Sequence, residues 1–279
     1  MRRREFIVLG GAFALAPLAT RAQQPRKVLK VGFLYPGSLE VSRSRIDAIL
    51  HGLHVAGYRQ PEDFQLIVRV ADNDDARLQA LAAGLVEEQV DVIVTGGSQG
   101  VRAAMGATTT IPIVIAAAGD VVDAGFVANL ARPGGNVTGQ TFFNPELMAK
   151  RLELLKEAIP HLTRVGVFLN PANPLNRVVL EAMESTASTI SIKLQKFEAR
   201  RPEEFNDAFA AMTKERVDAV VVHEDVMLLA NDKVIAELAA RTRIPLAGSR
   251  DLAKVGGLMG YGANVLDMWQ GSAVFIDKI

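Results

Sequence analysis

The chain has 279 residues, 31 basic and 31 acidic side chains, and no cysteine. That balance leaves no basic footprint for nucleic acid, and the absence of cysteine excludes disulfides, thiolate zinc sites and cysteine nucleophiles. At 49% hydrophobic and 22% charged residues, the composition is that of a folded protein, not a disordered one.

The N-terminus has the layout of an export signal. Arg2, Arg3 and Arg4 precede an apolar stretch from Phe6 to Ala19, and small residues lead to Ala22. Residues 1–22 are expected to be a signal peptide cleaved near Ala22, which would put the mature chain in the periplasm. Arg3-Arg4-Glu5-Phe6 fits the twin-arginine pattern. The apolar stretch is too short and too glycine-rich for a membrane span, and no other stretch of the sequence is long and apolar enough.

From Lys27 onward, short β-like runs alternate with helical periodicity. "KVLKVGFLYPGS" reads as a strand ending in a Pro-Gly turn. Ile46, Ile49, Leu50 and Leu53 then recur at helical spacing, and Gly57 is a natural stop. "FQLIVRVAD" reads as a strand, Leu78 to Val86 as a helix, "VDVIVTGG" as a strand, Val101 to Ala107 as a helix and "IPIVIAAAGD" as a strand. Nearly continuous apolar strands separated by helices predict a parallel α/β sheet covered on both faces.

The pattern then recurs. "RVGVFLNPANP" at Arg164 echoes "KVGFLYPG" at Lys30, an offset of 164 − 30 = 134 residues. "VDAVVVHED" echoes "VDVIVTGGS" at 217 − 90 = 127, and "RIPLAGSRD" echoes "TIPIVIAAAGD" at 243 − 110 = 133. Three landmarks in one order at nearly one offset predict a duplicated domain. Two Rossmann-like lobes are therefore expected: residues 23–137 plus 263–279, and residues 138–262. The Gly/Pro/Asn-rich stretches Leu130–Asn144 and Gly256–Asn264 suit the crossovers between them. Val265, Trp269, Ala273 and Ile276 keep helical spacing and would return to the first lobe. Two open lobes joined by hinges form a cleft that closes on a small ligand.

Several stretches together carry a family resemblance: "RRREFIVLGGAFALAPLATRAQQ", "VGFLYPGS", "VDVIVTGGS", "TTTIPIVIAAAGD", "LARPGGNVTG", "KRLELLKEAIP", "RVGVFLNPANP" and "GGLMGYG". "LARPGGNVTG" followed by "KRLELLKE" is the most specific part. The chain resembles the ABC-transporter substrate-binding proteins, whose members include tryptophan- and related amino-acid-binding proteins. The resemblance implies a type I-like periplasmic-binding-protein fold, a monomer, and delivery of a solute to a membrane permease. The family usually places Pro after the Asp of the "GD" turn, where this chain has Val121. Its members also continue beyond the position of Ile279 with a strand that completes the first lobe, so a chain ending there is expected to leave an unpaired sheet edge.

Ligands of open α/β sheets bind at the carboxyl ends of the strands. That rule selects Tyr35, Ser38 and Asp120 in the first lobe, with Gly97 and Ser98 at a strand-to-helix junction. In the second lobe it selects Asn170, Asn173, His223, Glu224, Asp225, Ser249 and Arg250. Asp120, Glu224 or Asp225 would suit an ammonium, and Ser98 with helix N-termini a carboxylate. Tyr35, Phe142, Phe143 and Tyr261 would supply apolar walls. Each polar residue also has a plain structural role open to it as a turn or cap.

Ser98 carries a rival reading. Gly96-Gly97-Ser98-Gln99-Gly100 matches G-x-S-x-G, the nucleophile elbow of α/β hydrolases. A secreted serine hydrolase would need His223 as its base, and that residue falls in the other lobe. The equivalent stretch "VDAVVVHED" has no elbow. His51 and His54 have i,i+3 spacing but suit a solvated helix face better than a metal. No phosphate-binding loop appears, so the expected protein uses no cofactor and is not an enzyme.

Overall fold

The computed structural model describes residues 27–279. The expected signal segment, residues 1–22, lies outside the described residues. The first half runs β1 (Leu29–Tyr35), α1 (Leu39–Val55), β2 (Phe64–Val70), α2 (Asp75–Glu87), β3 (Val92–Gly96), α3 (Ser98–Ala107), β4 (Ile113–Ala118) and β5 (Val137–Thr141). The second runs α4 (Asn144–Ala158), β6 (Arg164–Leu169), α5 (Asn176–Thr189), β7 (Lys193–Glu198), α6 (Phe205–Lys214), β8 (Ala219–Val222), α7 (Val226–Ala230), α8 (Asp232–Thr242), β9 (Leu246–Gly248) and β10 (Met259–Gly260). Two short helices, α9 (Val265–Gly271) and α10 (Ala273–Ile276), follow.

The strands form two five-stranded sheets, ordered β2-β1-β3-β4-β5 and β10-β9-β8-β6-β7. Every pairing is parallel. Read from β7, the second order repeats the first element for element, as the sequence echoes predict. The central strands are buried along almost their whole length, which is why their sequences are nearly unbroken apolar runs.

Each sheet has a core on both faces. In the first lobe, Ile49 and Leu53 of α1 and Trp269 of α9 cover one face, and Leu78, Leu85 and Val101 of α2 and α3 cover the other. In the second lobe, α4 and α5 cover one face and α6 and α8 the other. Phe168 of β6 meets Phe205 and Phe209 of α6 edge-on at 5.3 and 5.7 Å. Helix starts follow the local sequence: Ser38 caps α1, and Asp74 caps α2 by accepting from Arg77 N at 2.9 Å.

The crossovers are shorter than the sequence predicts. Leu130–Asn144 reads as a loop, but Val137–Thr141 pairs with β4 as an edge strand. The expected lobe boundary at 137/138 therefore falls inside β5, and the chain crosses at Phe142 and Phe143. Gly139 explains the misreading. Its φ is +135°, and a Cβ there would lie 2.2 Å from Ile115 O, so the strand needs the residue that weakens a strand signal. The second stretch likewise contains β10, which leaves Tyr261 to Asn264 to cross back. No helix among the described residues is long and apolar enough to cross a membrane.

A candidate ligand site between the lobes

The carboxyl ends of both sheets face each other across a cavity. One chamber is lined from the first lobe by Tyr35, Arg45, Gly97, Ser98, Gln99 and Ala117, with Phe142 and Trp269 beside them. Asn173, Leu175, Glu224, Asp225, Val226 and Leu229 line it from the second. Arg45, Phe142, Glu224, Leu229 and Val265 also line a second chamber, which continues to Asp232, Ser249, Arg250 and Asp251. The first chamber holds about 40 Å³ and the second about 150 Å³. A larger groove runs between α2 and α3 of the first lobe and Ala172 and Pro174 of the second, and Gln99 lines both it and the first chamber.

The lobes touch. Gln99 Nε2 donates to Asp225 Oδ2 at 2.7 Å across the cleft. Two glycines permit that approach. A Cβ on Gly97 would lie 2.6 Å from Val226 Cγ2, and one on Gly119 would lie 2.2 Å from Leu175 Cδ1.

Asp225 accepts four hydrogen bonds in all. Besides Gln99, it takes Asn170 Nδ2 at 3.2 Å, Asn173 Nδ2 at 3.1 Å and Met227 N at 3.0 Å. Glu224 is also spoken for. Arg151 of α4, with no exposed side-chain surface, grips it bidentately, one bond at 2.8 Å to Oε2 and a shorter one to Oε1. Arg151 Nε and Nη2 further donate to Tyr261 O at 2.8 and 2.6 Å. One guanidinium thus ties α4, the end of β8 and the second crossover together.

The apolar wall is aromatic. Trp269 lies 5.4 Å from Phe33 and 5.8 Å from Tyr35, centroid to centroid. The Arg45 guanidinium sits 5.0 Å from the Tyr35 ring centroid, a cation–π distance. Burial raises the Tyr35 pKa, Arg45 opposes the rise, and Asp225 adds to it. A Cβ on Gly96 would strike Trp269 at 2.4 Å, so glycine there makes room for the indole under the strand end.

Of the sequence-selected residues, Tyr35, Gly97, Ser98, Phe142, Asn173, Glu224, Asp225, Ser249 and Arg250 come together around the cavity. Six do not line it. Phe143 is exposed at the crossover. Ser38 is spent capping α1, with Val41 N at 3.5 Å. Asp120 holds its own turn, accepting from Val122 N and Asp123 N at 3.0 Å. Asn170 lies behind the wall and orients Asp225. Tyr261 contributes its carbonyl to Arg151 and leaves its ring outside the cavity. His223 is buried and accepts from Asn144 Nδ2 at 2.9 Å.

This geometry removes the hydrolase reading. Among the described residues no hydrogen bond joins Ser98 to His223. The left-handed φ of +73° falls on Gly97, while Ser98 simply begins α3, so the strained nucleophile position of an elbow is missing. Burial, aided by Arg151, pushes the His223 pKa down to about 3, too low for a general base at neutral pH. Sequence reading passed over Arg45, Gln99, Arg151 and Asp232. All four sit on helices, where nothing local distinguishes them from solvated charges and amides. Among the described residues no group of three or more His, Cys, Asp or Glu is placed to hold a metal.

Two parallel α/β lobes, joined by two crossovers with a cavity between them, define the type I periplasmic-binding-protein architecture. The chain belongs to the ABC transporter substrate binding protein family, whose model matches residues 38–279. That is a family of binding proteins and not of enzymes. A tyrosine-binding protein of Clostridioides difficile is 25% identical over 202 residues, covering 72% of this chain and 58% of the relative's own length. A solved ABC domain from Streptococcus pneumonia in complex with L-Trp has a TM-score of 0.81 at 22% identity, covering 90% of this chain and 84% of that one. The ligand-free, open structure of a substrate-binding protein with adhesive properties from Clostridium difficile has a TM-score of 0.63 at 25% identity, over the same shares of the two chains.

Proposed function

We propose that the protein is the exported solute-binding component of an ABC transporter, which closes on an amino acid in the inter-lobe cavity and presents it to a membrane permease. The observation that carries this reading is the cavity itself: aromatic and aliphatic walls, with ionisable groups of both lobes at one end. The tyrosine-binding relative and the L-Trp complex support the ligand class. The higher TM-score to the L-Trp complex than to the open, ligand-free neighbour supports a closed arrangement of the lobes. Export rests on the Arg2–Arg4 segment and the apolar stretch behind it. Tyr35, Gly97, Ser98, Phe142, Asn173, Glu224 and Ser249 are the proposed contacts from the sequence-selected set. Closure works by population shift: a solute touching both lobes favours the closed state by its differential affinity.

The test is a thermal-shift panel of the twenty amino acids and small aromatic acids on the mature chain. At 100 times its dissociation constant, a ligand stabilises by about 2.7 kcal/mol, which is roughly 5–10 °C for a chain of this size. A shift with one or more amino acids is expected. No shift with any of them overturns the ligand class.

A further inference from the structure

The acids that line the cavity are not equally available. Glu224 is held by Arg151, Asp225 accepts four donors, and Asp251 pairs with Lys254 at 2.6 Å. Asp232, the first residue of α8, differs: its Oδ1 is buried and has no hydrogen-bond partner. Ser249 Oγ, at the end of β9, is buried and makes no well-formed hydrogen bond, although it sits near enough to Asp232 to lower that carboxyl's pKa; the two form one acceptor-rich corner with no donor from the rest of the chain. From the opposite lobe, Arg45 Nε is also buried and unpartnered, although its Nη1 donates to Val41 O at 2.7 Å. All three residues line the larger chamber, and Asp232 and Ser249 lie outside the smaller one. Buried polar atoms without partners are rare, and each costs stability. Three around one cavity, an acceptor, a hydroxyl and a cation, form the complement of a zwitterion.

We propose that Arg45, Asp232 and Ser249 form the subsite for the α-carboxylate and α-ammonium of the bound amino acid. This inference rests on the amino-acid reading above and adds the ligand's orientation. The carboxylate meets Arg45 of the first lobe. The ammonium meets Asp232 and Ser249 of the second. The side chain points into the smaller chamber, against Tyr35, Phe142 and Trp269. A zwitterion set this way spans the lobes, so its two charges favour closure directly. The Asp232 carboxyl is ready for a cation. Burial, with Asp251 and Glu224 nearby, raises its pKa to about 7, against smaller opposing effects of Ser249 and Arg151. An arriving ammonium stabilises the carboxylate and displaces the proton to buffer. Binding therefore weakens as pH falls below about 7.

Isothermal titration with L-tyrosine and L-tryptophan, and with their analogues lacking the amine or the carboxylate, tests the assignment. Charge-assisted bonds of this kind correspond to losses of roughly 10–100-fold. Asp232→Asn is expected to weaken both amino acids by about that factor and to leave the des-amino acids within about 2-fold. Arg45→Gln is expected to weaken the amino acids and spare tyramine and tryptamine. Lys193→Gln, on the exposed start of β7, is expected to keep both discriminations. Proton release near pH 6.5, read from titrations in two buffers of different ionisation heat, is expected for the wild type and absent in Asp232→Asn. Equal losses across all analogues, or amine discrimination that survives in Asp232→Asn, overturns the subsite while amino-acid binding stands. If the wild type binds neither amino acid, the ligand class falls and the subsite with it. Circular dichroism melts of each variant establish that it is folded.

Discussion

Asp232 costs the empty protein stability. Its folded pKa of about 7 lies above the ordinary carboxylate value of 3.8, so the folded state holds the proton more tightly than the unfolded chain does. By linkage, the stability this provides is complete below about pH 3.8 and is lost as pH rises through about 7. Above pH 7 the folded protein carries a buried carboxylate with an unpartnered oxygen. Asp232→Asn removes that burden. Allowing for relaxation and residual solvent, the gain is about 1–2 kcal/mol at pH 8, or roughly 3–6 °C in melting temperature. It is expected to shrink toward zero as pH falls to about 4. A scanning-calorimetry pH series checks this, and an unchanged or lower melting temperature at pH 8 contradicts it. A substitution that stabilises the empty protein while weakening its ligand is the usual sign of a functional residue. His223 slopes the other way: with its pKa lowered from 6.5 to about 3, its contribution is lost as pH falls through that range.

At the scale of elements, Arg151 matters most, because it joins α4, the end of β8 and the second crossover through one buried guanidinium. Removing one partner of a buried ion pair costs about 3–5 kcal/mol. Arg151→Met is therefore expected to lower stability by that amount in urea melts. Arg151→Lys is expected to recover only a small part, since an ammonium cannot supply the fork that Glu224 and Tyr261 O share. Full recovery by lysine contradicts the bidentate account. The elements themselves were largely legible beforehand. The apolar runs around Phe33, Val94, Ile115 and Val167 announce parallel strands, and the echo of Lys30 at Arg164 announces the second sheet. β5 was not legible, because an edge strand built on Gly139 has the composition of a loop. The site was half legible. Strand-end position locates Tyr35, Ser98 and Asn173, but pattern alone cannot say whether an acid is free. Glu224 and Asp120 are consumed by partners, and the unpartnered carboxylate oxygen belongs to Asp232 on a helix. Only tertiary packing separates these cases.

For the whole molecule, Gln99 Nε2 to Asp225 Oδ2 is the hydrogen bond that joins the lobe tips, and on the proposed function it is a bond that opening breaks. Gln99→Glu replaces that donor with a carboxylate facing a carboxylate. The empty protein is expected to shift to open lobes, read as a larger radius of gyration in small-angle scattering, with solute affinity lower by about 10-fold or more. An unchanged radius and affinity remove the latch from the closing mechanism. Gln99 also lines the larger groove, so one side chain borders both spaces and joins the lobes. That placement has a kinetic consequence. On the proposed function, the residence time of a solute held by both lobes is governed by how often this bond breaks and the lobes part. Side-chain contacts then act on the off-rate chiefly through that frequency. On the proposed function, two solutes that differ in affinity are released on the hinge's clock, and a partner that pries Gln99 from Asp225 sets that clock itself.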